Sequence, residues 1–221
     1  LSPKVIEIVR IVKEHLDQNI PGKVLIFTNF IQSAIDIFEA FPPEIKSKVI
    51  YYTAGNKEEC GARFEKDDSM RVMVGVEYSM NTGLNLQNAS RLIRCQTVWT
   101  PGALEQGNAR IGRPNIKTPE TRSEIYYDWV VSNKTIDVTK VSYLMAKSIA
   151  RGKFEEAGNP RFDGLIVPKL FPMSLSTLIA KNDFTTTLEP YFESYAAYKK
   201  AMFEEWEDFK KNNRDWLFDE N

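Results

Sequence analysis

The stretch QGNARIGRPN, residues 106–115, sets Gln106, Arg110 and Arg113 at intervals of four and three. Residues three or four apart share one face of a helix, so this spacing predicts two guanidinium groups directed at one anion, with a carboxamide one turn ahead. A guanidinium is permanently charged and presents a planar fork of donors, which suits phosphate or carboxylate oxygens. The ordinary alternative is a pair of surface arginines in exposed ion pairs, each worth at most about 1 kcal/mol. Just upstream lies NTGLNL, residues 81–86. There Gly83 either lets the backbone approach a ligand closely or simply serves a turn.

Other chemistries find little support. No GxxxxGK[ST] phosphate loop is present, because the pairs Gly22-Lys23 and Gly152-Lys153 lack both the upstream glycine and the following hydroxyl residue. The single histidine, His15, has no histidine or cysteine partner at ligand spacing, which argues against zinc and histidine acid–base catalysis. It is expected on the surface. Asp67 and Asp68 fall in EKDDSM and read as a solvated turn. Cys60 and Cys95 lie in or beside apolar segments, as buried, reduced thiols of an intracellular protein do.

The elements that must position these residues follow from composition and pattern. With 43% hydrophobic and 27% charged residues, the 221-residue chain has material for a real core. Its 29 Lys and Arg against 30 Asp and Glu give no net attraction to nucleic acid, so any such contact needs a local patch or backbone amides. No apolar run is long enough to cross a bilayer and the first residues are too charged for a secretory signal; a soluble cytoplasmic or nuclear protein is expected. Val5, Ile8, Val9, Val12 and Leu16 fall at helical spacing behind Ser2 and Pro3. VLIFTNF then reads as a strand covered on both faces. The rhythm continues with helix FIQSAIDIFEAF, strand KVIYYTAG, helix NKEECGARFEK, strand MRVMVGVE, segment RLIRCQTV, a helix around GALEQGNARI and strand SEIYYDWVV. Such alternation predicts a parallel sheet coated by helices, with ligands at the strand carboxyl ends, in the loops after Phe27, Tyr52, Val76 and Cys95.

Beyond Asn133 the character changes. A helix is expected over KTIDVTKVSYLMAKSIARGKFEEAG, then a Pro- and Gly-rich loop, a short helical segment through SLSTLIAK, and a long final helix. There Phe192, Tyr195, Tyr198, Met202, Trp206 and Phe209 form one aromatic face. The expectation is that this face docks on the domain's own surface. The alternative is a protein partner bound through residues 190–218.

Three segments in order, KVLIFTNF (23–30), TGLNLQNASRLI (82–93) and W-T-P followed by Q-x-x-x-R-x-x-R (99–113), resemble the second RecA-like domain of superfamily 2 helicases, most of all the Swi/Snf-type DNA translocases. The resemblance spans residues 1–151 and implies an α/β fold with a RecA-like parallel sheet sandwiched by helices. The expected parts are a lead-in helix (1–21), the RecA-like domain (22–133) and a helical C-terminal extension (134–221). The resemblance further implies that Arg113 is an arginine finger, that Arg110 binds the same phosphates, and that Gln106 heads the motif. Gly83 and Asn85 would lie near the nucleotide, Asn85 toward its ribose. Thr28, Thr53, Gly55, Asn56 and Lys57 would contact a DNA strand; ordinary helix capping would use the same residue types.

ATP and Mg2+ are then expected to be held mainly by a first RecA-like domain of the same protein, and this chain alone is expected not to hydrolyse ATP. Departures from the Swi/Snf pattern are Met80 and Asn81 ahead of the glycine, Gln96, Thr100 within W-T-P, and Pro114. Glu77 stands where relatives prefer a hydroxyl; a carboxylate there must be turned away from phosphate or paired. A divergent viral or phage branch, working in a host cytoplasm, would fit. An RNA helicase domain and a non-catalytic helicase-like interaction module are the alternatives.

Overall fold

The structure is a computed structural model that describes residues 1–80, 84, 86–111, 124–166 and 188–212. It divides into two compact units, residues 1–133 and 134–221.

In the first unit the Ser2 hydroxyl accepts the Val5 amide at 3.3 Å and starts helix α1 (Pro3–Asp17), which belongs to this unit. There follow β1 (Lys23–Thr28), α2 (Ile31–Ala40), α3 (Pro43–Lys46), β2 (Val49–Tyr51), a 3-10 turn at 54–56, α4 (Lys57–Lys66) and β3 (Val72–Val76). Then come α5 (Glu77–Met80), β4 (Ala89–Arg94), α6 (Pro101–Asn108) and β5 (Tyr126–Trp129). The sheet runs β2-β3-β1-β4-β5, every neighbouring pair parallel.

All six residues of the central strand β1 are buried. Successive side chains point to opposite faces, and both faces are covered. Val24 and Ile26 pack with Ile8, Val12, Ala34 and Ile37 from α1 and α2. Leu25 and Phe27 pack with Cys60, Phe64, Met73, Met80, Leu84 and Leu86 on the other side. Fully burying each side chain of this size is worth about 1.5–3 kcal/mol, so the two clusters dominate the stability of the unit. Cys60 and Cys95 are both buried and form no disulfide.

Lys23 opens β1 at the edge opposite the strand carboxyl ends. Its ammonium donates to the Phe64 carbonyl at 2.6 Å and the Asp67 carbonyl at 2.8 Å, satisfying the last acceptors of α4. Just beyond, the Asp67 carboxylate accepts the Ser69 hydroxyl and amide, which hold it below the usual carboxylate range in a solvent-facing turn.

His15 is not on the surface. It is fully buried, with Nε2 3.3 Å from the Gly22 carbonyl, because the helix turns that position toward the sheet. Burial holds its pKa below the ordinary 6.5, and nearby Arg91 and Arg71 add to this. The unfolded chain therefore takes up a proton that the folded one resists. The His15 contribution to stability is full above pH 6.5 and is lost as pH falls through that value toward the lowered one. The unfolding free energy of this unit, read by hydrogen exchange at the β1 amides, is expected to drop between pH 7.5 and 5.5, by up to about 1.4 kcal/mol per pH unit for one proton. His15→Gln should flatten that slope; equal slopes in the two proteins would refute this account.

The second unit contains α7 (Ile136–Glu155), α8 (Pro160–Asp163) and α9 (Glu189–Asn212). Thr135 caps α7 and Asn159 caps α8. The expected SLSTLIAK helix lies outside the described residues. On α9 the buried stripe is Tyr191, Tyr195, Tyr198 and Ala201, whereas Phe192 is 60% exposed and Trp206 43%. The expected face is thus shifted toward Tyr191. Aromatic residues occupy more than one face of α9, so spacing alone does not reveal which one packs. Arg161 ties α8 to α9 through Glu205 and Asp208.

Gly152 of α7 lies against Tyr198: a Cβ at this position would sit 2.2 Å from Tyr198 Cε2. Gly→Ala inside a helix usually gains about 1 kcal/mol. Here overpacking wins, and Gly152→Ala is expected to destabilise this unit by about 1–3 kcal/mol in chemical denaturation. A gain in stability would show that the ring moves aside freely.

Candidate functional site

Strand β4 ends at Arg94, and the Thr100 hydroxyl accepts the Ala103 amide at 3.4 Å to start α6, with Pro101 in its first turn. Leu104 and Ile111, each 1% exposed, anchor the helix and the turn after it, while Gln106 faces solvent. The regular helix stops at Asn108. The Arg110 amide donates to the Gly107 carbonyl and the Ile111 amide to the Asn108 carbonyl, both at 3.2 Å. Gln106 and Arg110 therefore stand either side of a helix end, with Arg110 half-buried in the closing turn. The single helical face expected to carry Arg110 and Arg113 does not extend through Arg110. Arg113, Gly83 and Asn85 lie outside the described residues. Leu84 and Leu86, which flank Asn85, are buried at 8% and 1% exposure.

A buried ion pair underlies α6. Glu77 opens α5 at the end of β3, and Arg94 closes β4. Arg94 Nη2 lies 2.8 Å from Glu77 Oε1, with side-chain exposures of 1% and 2%. Arg94 Nη1 donates to Asn108 Oδ1 at 2.6 Å, and its guanidinium lies over the Phe27 ring, 5.6 Å from the centroid. Glu77 is thus paired and turned away from solvent, which removes the repulsion that its carboxylate would otherwise exert on a phosphate.

The loops after β1 and β2 occupy the same sheet edge. Thr28, expected to contact a nucleic-acid strand, is fully buried instead; its hydroxyl donates toward the Phe30 and Gly75 carbonyls at 3.1 and 3.3 Å. A hydroxyl at the last position of a covered strand has those carbonyls as its nearest acceptors, so the side chain points inward. Asn29 donates through its side chain to the Thr97 carbonyl, and its amide donates to Gln96 Oε1. Gln96 Nε2 donates to Ser33 Oγ, joining the loops after β1 and β4 to the first turn of α2. Past β2, Asn56 Oδ1 accepts both the Thr53 amide at 2.7 Å and the Thr53 hydroxyl at 2.9 Å. These side chains are engaged in a local cap. Gly55 is exposed and Lys57 half-buried, and the first turn of α4 also carries Glu58 and Glu59, which oppose an anion there.

Residues 7–115 match the helicase conserved C-terminal domain family, from within α1 to just past Arg113. This segment, just under half of the chain, is similar to that domain. An uncharacterized ATP-dependent helicase of Schizosaccharomyces pombe is 29% identical over 140 residues, which is 62% of this chain and 13% of that protein. The chain therefore spans a small part of the length of that relative. The C-terminal part of the Fun30 ATPase domain superposes with a TM-score of 0.54 at 19% identity, over 64% of this chain and 45% of that one. The Sulfolobus solfataricus SWI2/SNF2 ATPase core in complex with dsDNA gives 0.52 at 21% identity, over 84% of this chain and 36% of that one. At these identities the two structures show a shared RecA-like fold.

Within this segment, sequence reasoning missed Asn108, Asn29 and Arg94, the partner of Glu77. One signal was present: Arg94 is a charged residue inside the apolar strand RLIRC, and a charge in a covered strand needs a buried partner. Nothing local identified that partner, which lies seventeen residues upstream. Among the described residues no group of His, Cys, Asp and Glu side chains could hold a metal ion, and no helix is long and apolar enough to cross a membrane.

Proposed function

We propose that this segment is the second RecA-like half of an ATP-dependent DNA translocase or helicase of the Swi/Snf type. Its role is to complete an ATP site whose other wall is a first RecA-like domain. The observation that supports this most is the placement of α6: it sits on the carboxyl ends of β3 and β4, with Gln106 exposed and Arg110 in its closing turn. In parallel α/β sheets that edge is where ligands bind.

Bound with Mg2+, ATP supplies the phosphoryl group whose transfer to water drives movement. The donors on this chain suit a triphosphate, since two guanidinium groups offer only hydrogen-bond donors and permanent charge, and the Gln106 carboxamide adds an NH2 donor. Arg113 acts as the arginine finger, neutralising charge on the equatorial oxygens. Arg110 binds the same phosphates, Gln106 orients them, Gly83 lets the backbone come close to the nucleotide, and Asn85 lies toward its ribose. Mg2+ falls to the first domain. DNA follows the loop of Thr53, Gly55, Asn56 and Lys57, where the backbone amide of the exposed Gly55 and the ammonium of Lys57 are the contacts, Thr53 and Asn56 hold the loop through their local cap, and Thr28 supports the path from beneath.

The test is ATP turnover by the full-length protein with double-stranded DNA, single-stranded DNA and RNA supplied in turn. The expected result is strongest stimulation by double-stranded DNA. Preference for RNA would move the domain to the RNA helicases, and no stimulation by any of the three would overturn the reading. The exposed Phe192, Phe203 and Trp206 on α9 favour an additional role for the second unit, docking of a protein partner.

A further inference from the structure

We infer that Glu77, Arg94, Asn108 and the bare backbone of Gly107 are positioning residues that set where Arg110 stands, an inference resting on the reading of Arg110 as a phosphate-facing cation. Stability alone does not account for the pair. Taking two ions out of water is costly, and apolar side chains of the same volume often serve a fold as well or better. Charged groups, unlike apolar ones, hold a directional bond. Arg94 reaches from the end of β4 to Asn108, the last residue of α6, at 2.6 Å, while Glu77 at the end of β3 fixes the other side of the guanidinium at 2.8 Å. The Gly107 and Asn108 carbonyls then accept the Arg110 and Ile111 amides at 3.2 Å. Three steps therefore connect the rigid sheet to Arg110: carboxylate to guanidinium, guanidinium to carboxamide, and helix end to turn.

Gly107 forms the seat. A Cβ there would stand 2.3 Å from Glu77 Oε1 and 2.5 Å from Arg94 Nη2, so a side chain requires the ion pair or α6 to shift. The path from this seat to Arg110 is three residues long, and a displacement of about 1 Å at a reacting group can cost on the order of 100-fold in rate.

Two variants of the full-length protein test the role. Glu77→Leu/Arg94→Met refills the volume without charge, and Asn108→Ala leaves the pair intact but removes the tie to α6. Each is expected to lower kcat per folded enzyme at least about tenfold and to raise KM for ATP, because Arg110 binds the phosphates before reaction as well, with DNA affinity within about twofold. In the combined variant the losses should not multiply, because all three substitutions cut one path. A purely structural role would instead lower the melting temperature and the folded fraction without changing kcat per folded molecule. If Glu77→Leu/Arg94→Met does not fold, Asn108→Ala alone decides. Wild-type kcat in Asn108→Ala, or losses that multiply, would overturn the inference. Arg110→Ala assayed in parallel separates the two levels: if it is inactive while Asn108→Ala is normal, only the positioning role fails. If Arg110→Ala keeps full turnover, the underlying reading and this inference both fall.

Discussion

Replacing Arg113 with alanine in the full-length protein is expected to lower DNA-stimulated ATP turnover by about 10³-fold or more while leaving DNA affinity nearly unchanged. The loss falls on kcat because charge accumulates on the equatorial oxygens mainly in the transition state, and an interaction made there contributes little to ground-state binding. Arg113→Lys should recover little. An ammonium is a point charge and lacks the planar fork that engages two oxygens at once. Arg110→Ala, if its guanidinium binds phosphates in the ground state as well, should raise KM for ATP along with lowering kcat. Steady-state kinetics and DNA binding measured on the same preparations check all three. Turnover near wild type in Arg113→Ala would remove the finger from this chain and with it the main chemical reason for the proposed function.

The second large effect is on stability. Arg94→Met should destabilise the α/β unit by about 3–5 kcal/mol, because it leaves the Glu77 carboxylate, 2% exposed, without its counter-charge. Glu77→Leu/Arg94→Met should recover most of that loss, since neither ion then remains in the interior. With two compact units in the chain, a single unfolding midpoint is a poor measure. Hydrogen exchange at the β1, β3 and β4 amides reads the affected unit by itself. Protection unchanged in Arg94→Met would mean that water reaches Glu77 readily, against the burial seen here. Stability of the double variant and its turnover are separate readouts: the first reports desolvation, the second the aim of α6.

How much of this was legible beforehand differs from residue to residue. The strand at Lys23–Thr28 and the helix at Pro3–Asp17 were readable because burial on both sheet faces, or on one helix face, imposes a local pattern of apolar residues. Gln106 and Arg110 were readable as a pair at one sheet edge because strand–helix alternation places the loops there. His15 was not, since a lone histidine on an amphipathic helix carries no mark of which side it faces until its neighbour, the Gly22 carbonyl, is brought to it. Thr28 was misread for a related reason. As a hydroxyl at a strand end it suits a ligand and a buried carbonyl equally, and only the position of the Phe30 and Gly75 carbonyls decides. On α9 two aromatic faces competed, and packing against α7 selected the one containing Tyr195 and Tyr198.

By itself, then, the amino-acid sequence determined the parallel α/β architecture and put Gln106 and Arg110 beyond the end of β4. Tertiary structure alone decided which polar groups face inward and which charges meet. Glu77 and Arg94 belong to different strand ends, and their pairing depends on β3 and β4 lying on either side of β1 in the sheet. Apolar periodicity is a local consequence of burial, whereas the partner of a buried charge is set by chain topology, which no short window of sequence contains.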